Sequence, residues 1–124
     1  MPFSITISLA GEVIPAELND SQTALDIVDA LPIEAQFNTW GDEIYFPIPV
    51  KTGLENGSDV VSIGDLGYWP PGNAFCIFYG ATPGSTADEI RPASPVTIVG
   101  RVTGDPKIFR KLAGKASAVR IEKA

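Results

Sequence analysis

The sequence predicts a mainly β protein, a barrel or sandwich of about eight strands with one or two helices. Short segments that alternate apolar and polar residues recur along its 124 residues, as strands with one buried face require. The 12 glycines and 11 prolines separate these segments at intervals, which indicates turns rather than disorder. We expect a single domain covering residues 1–124, long enough to bury a core.

The first two strands are predicted from strict alternation. In FSITISL, residues 3–9, every second side chain from Phe3 onward is apolar and belongs to one face. EVIPAEL, residues 12–18, continues this inward face. Pro15 has no backbone N–H to donate, which predicts that the second strand lies at a sheet edge there.

A helix is predicted after these strands. Asn19, Asp20 and Ser21 are candidate N-caps, and the helix ends before Pro32 because the residue preceding a proline avoids helical dihedrals. Its apolar residues recur at helical spacing and form one stripe: Ala24, Ile27, Val28 and Leu31. This stripe predicts a helix lying across one opening of the barrel.

Two further strands are predicted over residues 33–40 and 43–50. Their alternation places Trp40 and Tyr45 on the polar face, away from the core. Another strand is expected at VVSI, residues 60–63, before the next turn.

The stretch PPGNAFCIFYG predicts a turn followed by a buried strand. PPGN, residues 70–73, has proline second and glycine third, which is typical of a type II turn. AFCIFYG, residues 74–80, is continuously apolar, so the strand is expected to be covered on both faces. This environment favours a structural role for Cys76 over a nucleophilic one.

Three elements complete the prediction in the C-terminal third, after an extended segment at residues 89–95. VTIVGRV is a strand at residues 96–102, KIFRKLA a short helix at 107–113, and ASAVRIE a final strand at 116–122. The basic residues of the short helix are expected to form a solvated face.

The charge of the chain argues against nucleic acid as a partner. Net charge is −6 and the isoelectric point is near 4.4, whereas phosphate backbones need clustered Lys and Arg. Lys51 is the only basic residue before Arg91, while most acids precede Arg91. We expect late, basic strands to lie between early, acidic ones, so that positive and negative charges alternate over the surface. The alternative is an anion subsite near Arg91 or Arg101.

The residue types present predict no cofactor, no metal site and no catalytic group. Histidine is absent, which removes the commonest general base and metal ligand, and one cysteine cannot form a disulfide within the chain. The carboxylate pairs Asp42–Glu43 and Asp88–Glu89 would point to opposite faces of a strand, so neither makes an acid–base dyad. No signal peptide or run of membrane length is visible, which predicts a cytoplasmic protein without a membrane partner.

Three segments together resemble a prokaryotic family of small cyclophilin-like proteins of uncharacterised function. They are GDEIYFPIPV at residues 41–50, GDLGYWPPGNAFCIFYGATP at 64–83 and DEIRPASPVTIVGRVTGD at 88–105. The resemblance covers most of the chain. It implies a closed cyclophilin-like β-barrel of about eight strands with one or two capping helices.

A more distant resemblance is to the cyclophilins that catalyse peptidyl-prolyl isomerisation, carried by PGNAFCI, a following TP and VTIVG. The residues that serve that activity are replaced. Ala74 stands in place of a glutamine, Cys76 in place of a pocket phenylalanine and Gly84 in place of a tryptophan. The active-site histidine has no counterpart, and no arginine precedes Arg91, so the resemblance implies the fold and none of the catalytic residues.

The predicted ligand-binding residues are Trp40, Tyr45, Tyr68, Asn73, Phe78 and Arg91. Together with the aromatic residues of GYWPPGN, which include Trp69, the outward-facing aromatics predict a groove for a flat or proline-rich ligand. The alternative is that these rings pack over one end of the barrel against loops. Arg91 either contacts an anion or carbonyl there or pairs with an upstream acid. Asn73 either closes its turn or points into the groove.

Three functions stay open from the sequence. The first is a binding module whose aromatic groove takes a small organic ligand or an extended peptide. The second is a peptidyl-prolyl isomerase with a rebuilt site in which Arg91 supplies the charge. The third is a structural or interaction domain that pairs through the edge expected near Pro15. Oligomeric state is not predicted.

Overall fold

The computed structural model describes residues 3–124, which form nine strands and two short α-helices. The strands are β1 Phe3–Leu9, β2 Glu12–Leu18, β3 Ile33–Gln36, β4 Asn38–Thr39, β5 Glu43–Pro47, β6 Asp65–Trp69, β7 Ala74–Phe78, β8 Thr97–Val102 and β9 Ala118–Lys123. The helices are α1 Gln22–Ala30 and α2 Phe109–Leu112, the second preceded by a 3₁₀ turn at Pro106–Ile108.

The strands form one antiparallel sheet in the order β3-β9-β1-β2-β8-β6-β7-β5-β4. The two end strands, β3 and β4, are consecutive in the chain and are separated only by Phe37. One continuous stretch therefore pairs with β9 through its first half and with β5 through its second half. This connection brings the sheet round into a nearly closed barrel, as predicted.

The main core fills the inside of the barrel. Alternate residues of the first two strands are buried as predicted, with the exception of Phe3, which is 37% exposed. The largest fully buried side chains of this core are Tyr68, Phe46, Phe75 and Phe109. The Phe46 and Phe75 rings stack with centroids 5.4 Å apart, on neighbouring positions of β5 and β7.

Helix α1 contributes its apolar stripe to this core, and its start agrees with the predicted cap. The Ser21 hydroxyl accepts the Ala24 N–H at 3.1 Å, satisfying one free donor of the first turn. The Glu55 carboxylate accepts the N–H groups of Gln22 and Thr23 at 3.1 and 2.9 Å. These hydrogen bonds to the charged form lower the pKa of Glu55.

Pro15 is not at a sheet edge, contrary to the prediction. Strand β2 lies between β1 and β8, and the Pro15 carbonyl accepts hydrogen bonds from Thr103 and Gly104 just beyond β8. The missing N–H is tolerated because pairing with β8 covers only Ala16 to Leu18. The interaction hypothesis built on an edge at Pro15 loses its basis.

Two predictions in the middle of the chain were also wrong. Residues 60–63 form no strand, and only Val61 makes an isolated bridge, to Ile90. The strand is β6, immediately after, where Gly67 makes the alternation hard to recognise. The PPGN turn is a 3₁₀ turn in which Asn73, and not Gly72, adopts the left-handed conformation, with φ of 47°.

The late strands lie between early ones, as the charge pattern predicted. Strand β8 separates β2 from β6, and β9 separates β3 from β1. Basic residues of the last third thereby meet acids of the first part, in the ion pairs Arg101–Glu17, Arg110–Asp42 and Arg120–Glu34. No helix within residues 3–124 has the length and apolar character needed to cross a bilayer.

Candidate functional site

Strand β7 is buried on both faces, as predicted, and its two faces belong to different apolar clusters. Phe75 and Ile77 point into the main core. Ala74, Cys76 and Phe78 point to the outside of the barrel. There they join a second cluster, which we call the outer cluster, formed by Val61, Ala74, Cys76, Phe78 and Val96.

Partly buried side chains from neighbouring strands cover the outer cluster. Tyr45 on β5 lies opposite Cys76, and Trp69 on β6 lies opposite Ala74, so both rings stand on the same outer face. Gly67 lies two residues before Trp69 on β6 and opposite Cys76, and a Cβ there would approach Val96 Cγ2 to 3.1 Å. A glycine at this position therefore lets the side chains above β6 come close to the sheet.

An apolar pocket of about 170 Å³ opens over this layer, and we call it the aromatic pocket. Its lining residues come from three separate parts of the chain: Trp40, Glu43, Tyr45, Trp69, Pro92 and Ala93. The chain contains no tryptophan other than Trp40 and Trp69, so both indoles stand at this site.

The wall made by Trp40 is fixed by a close contact between two loops. The Asp42 N–H donates to the Ala81 carbonyl at 2.8 Å, which ties the β4–β5 turn to the loop after β7. Gly41 has φ of 61°, and a Cβ there would collide with this loop, so the approach requires glycine. Gly84 of the same loop lies against the Trp40 ring.

The opposite wall, Pro92 and Ala93, is held by side-chain hydrogen bonds. The Thr82 hydroxyl donates to the Arg91 carbonyl, and the Arg91 N–H donates to Ser85 Oγ at 3.1 Å. Trp69 Nε1 donates to Ser94 Oγ at 2.7 Å, which ties an indole to the segment after Ala93. This wall has no regular secondary structure, but these three hydrogen bonds fix its position.

Glu43 supplies the carboxyl group of the aromatic pocket. It is 6% exposed and shares the outer face with Tyr45, two residues along β5. Burial raises the pKa of the Glu43 carboxyl to about 7, and a hydrogen bond from the Cys76 thiol offsets part of this rise. The carboxyl therefore changes its charge near neutral pH, as few buried acids do.

Cys76 has a structural role here, as the sequence favoured. Its thiol is buried, and burial followed by the neighbouring Glu43 carboxylate raises its pKa well above the usual value. A thiol that stays protonated is a poor nucleophile. Within residues 3–124 no three Cys, Asp or Glu side chains gather as ligands for a metal ion.

Arg91 lies beside the aromatic pocket rather than in it. It lines a shallower groove of about 570 Å³ that shares Trp40, Pro92 and Ala93 with the pocket. Its guanidinium donates to Glu89 Oε1 at 2.6 Å, which realises the ion-pair alternative, and this pairing raises the pKa of Arg91. Its side chain remains 38% exposed, so it can still meet a ligand that extends along the groove.

Four of the six residues predicted to bind ligand do not line the aromatic pocket: Arg91, Tyr68, Asn73 and Phe78. Tyr68 is fully buried in the main core, where its hydroxyl donates to the Val50 carbonyl at 2.6 Å. Asn73 lies near the same hydroxyl, with Oδ1 3.2 Å from it, and so faces the core side of its turn. Phe78 is fully buried in the outer cluster beneath the covering rings.

The structure brings Trp40 and Tyr45 together in the pocket and places Arg91 next to it. Sequence reasoning left Glu43, Pro92 and Ala93 out of the site. It also assigned Trp69 to the same groove as Tyr68, although the two side chains lie on opposite faces of β6. The missed signal was alternation itself. Glu43 is two residues from Tyr45 and must share its face, whereas Tyr68 and Trp69 are adjacent and must face apart.

Comparison with known proteins agrees with this architecture. The family model described as cyclophilin-like matches residues 3–122. The solution structure of a hypothetical protein from Archaeoglobus fulgidus is 38% identical in sequence and superposes with a TM-score of 0.81. The match covers 99% of this chain and 95% of that one. No curated protein matches the sequence.

Proposed function

Because the chain belongs to the cyclophilin-like family and carries an apolar pocket on the outside of its barrel, we propose that it is a ligand-binding module. The aromatic pocket takes a small organic group, either a free ligand or one side chain of an extended peptide. The observation that carries this proposal is the convergence of Trp40, Tyr45, Trp69 and Pro92 around one opening.

The size of the pocket limits what it can take. A cavity of roughly 150 Å³ in a protein interior accommodates benzene, and the aromatic pocket measures about 170 Å³. One ring, one proline side chain or one compact branched group therefore fits. Anything larger extends into the neighbouring groove, past Trp40 and Pro92 toward Arg91.

The energetics favour recognition through this opening. Large aromatic side chains that stay half-buried keep apolar surface in contact with water, and a ligand ring would remove that surface from water. The pocket is already formed by side chains fixed to both loops, so little ordering entropy opposes binding. Affinity is expected in the micromolar to millimolar range because the contact area is small.

The isomerase alternative is not our proposal. It needs a guanidinium aimed at a prolyl amide, and Arg91 is instead engaged with Glu89 at the edge of the site. Exchange spectroscopy on X-Pro peptides tests that alternative directly. Accelerated cis/trans exchange that is lost in Arg91→Ala would replace the binding module with an enzyme.

The test of the binding module uses the two indoles as reporters. Labelled protein is titrated with single-ring fragments and X-Pro dipeptides while the Trp40 and Trp69 Nε1–H signals are followed by NMR. We expect at least one probe to shift both signals with saturation, and Trp40→Ala to abolish the Trp69 shift. Phe3→Ala, which removes an exposed aromatic from β1, is the matched control and should bind normally. Failure of every probe to shift either indole would overturn the proposal.

A further inference from the structure

The aromatic pocket combines three aromatic rings with one buried carboxyl group. Trp40, Tyr45 and Trp69 supply the rings, and Glu43 is the acid. Among residues 3–124 no lysine or arginine lines this pocket, so the described part of the chain gives the carboxyl no basic partner there. Two donors near its walls, Trp69 Nε1 and the Arg91 guanidinium, are engaged by Ser94 and Glu89, and Tyr45 adds a hydroxyl to the lining.

A ring set of this kind recognises a particular chemistry. The π face of an aromatic ring carries partial negative charge, so rings gathered around a space attract an organic cation, and tryptophan does so best. A carboxylate next to such rings adds full negative charge where water is largely excluded. Quaternary and alkylated ammonium groups satisfy both, because their methyl groups tolerate loss of water and their charge needs a counter-ion.

We infer that the aromatic pocket selects a small organic cation, an alkylated ammonium group held against Trp40, Tyr45 and Trp69 with the Glu43 carboxylate as its counter-ion. This inference rests on the proposed binding function and names its ligand class. A trimethylammonium group is smaller than a benzene ring and fits within about 170 Å³. The rest of the ligand leaves the pocket along the groove toward Pro92 and Arg91.

Other ligand classes fit these residues less well. An anion would meet the Glu43 carboxylate and the negative faces of the rings. A neutral apolar group would bury surface but would leave the ionised carboxyl with the Cys76 thiol and no counter-charge, a penalty for a charge held out of water. An organic cation removes that penalty, because it supplies the missing counter-charge to a carboxylate that the fold has already desolvated.

Binding of an organic cation should depend on pH through the Glu43 carboxyl. Since the pKa of Glu43 lies at about 7, the carboxyl is largely neutral at pH 6 and largely ionised at pH 8. From β7 it is faced by the Cys76 thiol, and burial raises the pKa of that thiol. Tyr79, just after β7, belongs to the main core, and burial raises its pKa as well. Tyr45 shares its strand, and the Asp42–Arg110 ion pair lies near Tyr79.

The neighbouring groove contributes two further charged groups, Arg91 and Asp59. The raised pKa values of Cys76 and Tyr79 put their ionisation above the pH interval in question. A change in cation affinity between pH 6 and pH 8 is therefore assigned to Glu43. Binding of the cation should release protons near pH 7, because it stabilises the ionised carboxylate.

The experiment compares choline with 3,3-dimethylbutan-1-ol, which has the same shape and no charge. Both are titrated into the full chain at pH 8, with tryptophan fluorescence and the two indole NMR signals as readouts. We expect choline to bind about tenfold more tightly than the alcohol. At pH 6 the affinity for choline should fall about tenfold, while that for the alcohol stays constant.

Two variants separate the pocket acid from general attraction to an acidic protein. Glu43→Gln keeps the shape, and we expect it to bring choline within about twofold of the alcohol. Asp59→Asn removes an acid from the neighbouring groove and should keep the preference for choline. Amide spectra of both variants verify that the fold is retained.

The possible results distinguish the two proposals. If the alcohol and the ring fragments shift the indole signals and choline binds no better at pH 8, the cation inference is overturned and the binding function stands. If choline affinity is the same in Glu43→Gln as in the wild type, the inference also fails. If neither compound shifts either indole, the cation inference is overturned, and the fragment titration decides the binding function separately.

Discussion

The two faces of β7 carry equally apolar residues but have different surroundings. Phe75 and Ile77 point into the main core, which is filled by residues of the barrel strands and of both helices. Ala74, Cys76 and Phe78 are covered instead by half-buried rings and by the loop between β7 and β8. Phe75 and Ile77 on the inner face are fully buried, and the outer face keeps a pocket of about 170 Å³.

This difference follows from what covers each face. Strands repeat at a fixed spacing, so side chains between them interdigitate and fill the available space. A loop has no such regularity, and it is positioned by a few hydrogen bonds from Thr82, Ser85 and Ser94. We infer that one strand serves both stability and recognition, with the inner face supplying the first and the outer face the second.

The largest effect is expected from Phe75→Ala on the inner face. Phe75 is fully buried and stacks on Phe46, so its loss leaves a cavity that the closed barrel cannot collapse. The free energy of unfolding should fall by about 3–5 kcal/mol. Urea unfolding followed by circular dichroism measures it. Phe3→Ala, at a 37% exposed position of β1, is the control and should cost less than about 1 kcal/mol.

The two tyrosines give a second contrast of the same kind. Tyr68→Phe removes a buried hydroxyl that donates to Val50 and accepts the Thr52 N–H at 3.3 Å, so we expect a loss of about 1–3 kcal/mol. Tyr45→Phe alters a half-buried ring of the outer face and should change stability by less than about 0.5 kcal/mol. Equal losses in the two variants would remove the distinction between the faces.

Glu43→Gln tests the outer face through the pH dependence of stability. The folded-state pKa of Glu43 is about 7, above the ordinary glutamate value of 4.5, so Glu43 binds more protons in the folded protein than in the unfolded chain between these values. The contribution of Glu43 to the stability of the wild type therefore falls as pH rises from about 4.5 to 7, and then stays level. The glutamine variant lacks this contribution.

We expect Glu43→Gln to be more stable than the wild type by about 2 kcal/mol at pH 8, less than the full linkage value because the pocket admits water. At pH 4 the two proteins should be equally stable. Urea midpoints measured at both pH values provide the comparison. A variant that is less stable than the wild type at pH 8 would mean that Glu43 is not desolvated as the structure indicates.

The smallest effect is expected from Arg91→Ala. The Arg91–Glu89 ion pair is exposed to solvent, so its removal should leave the urea midpoint unchanged within error. The affinity of the aromatic pocket for a ring-sized probe should also stay the same, because Arg91 lines only the neighbouring groove. A large loss of affinity for such a probe would move the binding site from the pocket to the groove.

Alternation carried much of the fold prediction. It gave β1 and β2 correctly because Ile, Leu and Ser residues there follow a strict period of two. It failed at β6, where Gly67 breaks the alternating pattern. It also failed at residues 60–63, which are mostly apolar but form no strand, and of which Val61 packs in the outer cluster. The sequence around Pro15 could not show which strands pair with β2. A proline is tolerated inside a sheet where the neighbouring strand ends, as β8 does next to Pro15.

The site was predicted only in part because it is assembled from distant segments. Trp40 and Tyr45 could be predicted because alternation places them on the outer face of their strands. Pro92 and Ala93 could not, because they reach the pocket only through the path of the long loop between β7 and β8. The sequence shows Glu43 only as one of two adjacent acids, and nothing in its local sequence shows that a loop will bury it. Burial by a loop is a long-range property that a strand pattern does not encode.

The most direct test of the claim that the outer face is the binding face is to measure intermolecular NOEs. The best probe from the fragment titration is bound to the labelled wild-type protein, and contacts between ligand protons and side-chain protons are mapped. We predict NOEs to Trp40, Tyr45, Trp69 and Pro92, and none to Phe75 or Ile77. NOEs confined to another surface, such as the cleft between Phe3 and Leu31, would contradict the account.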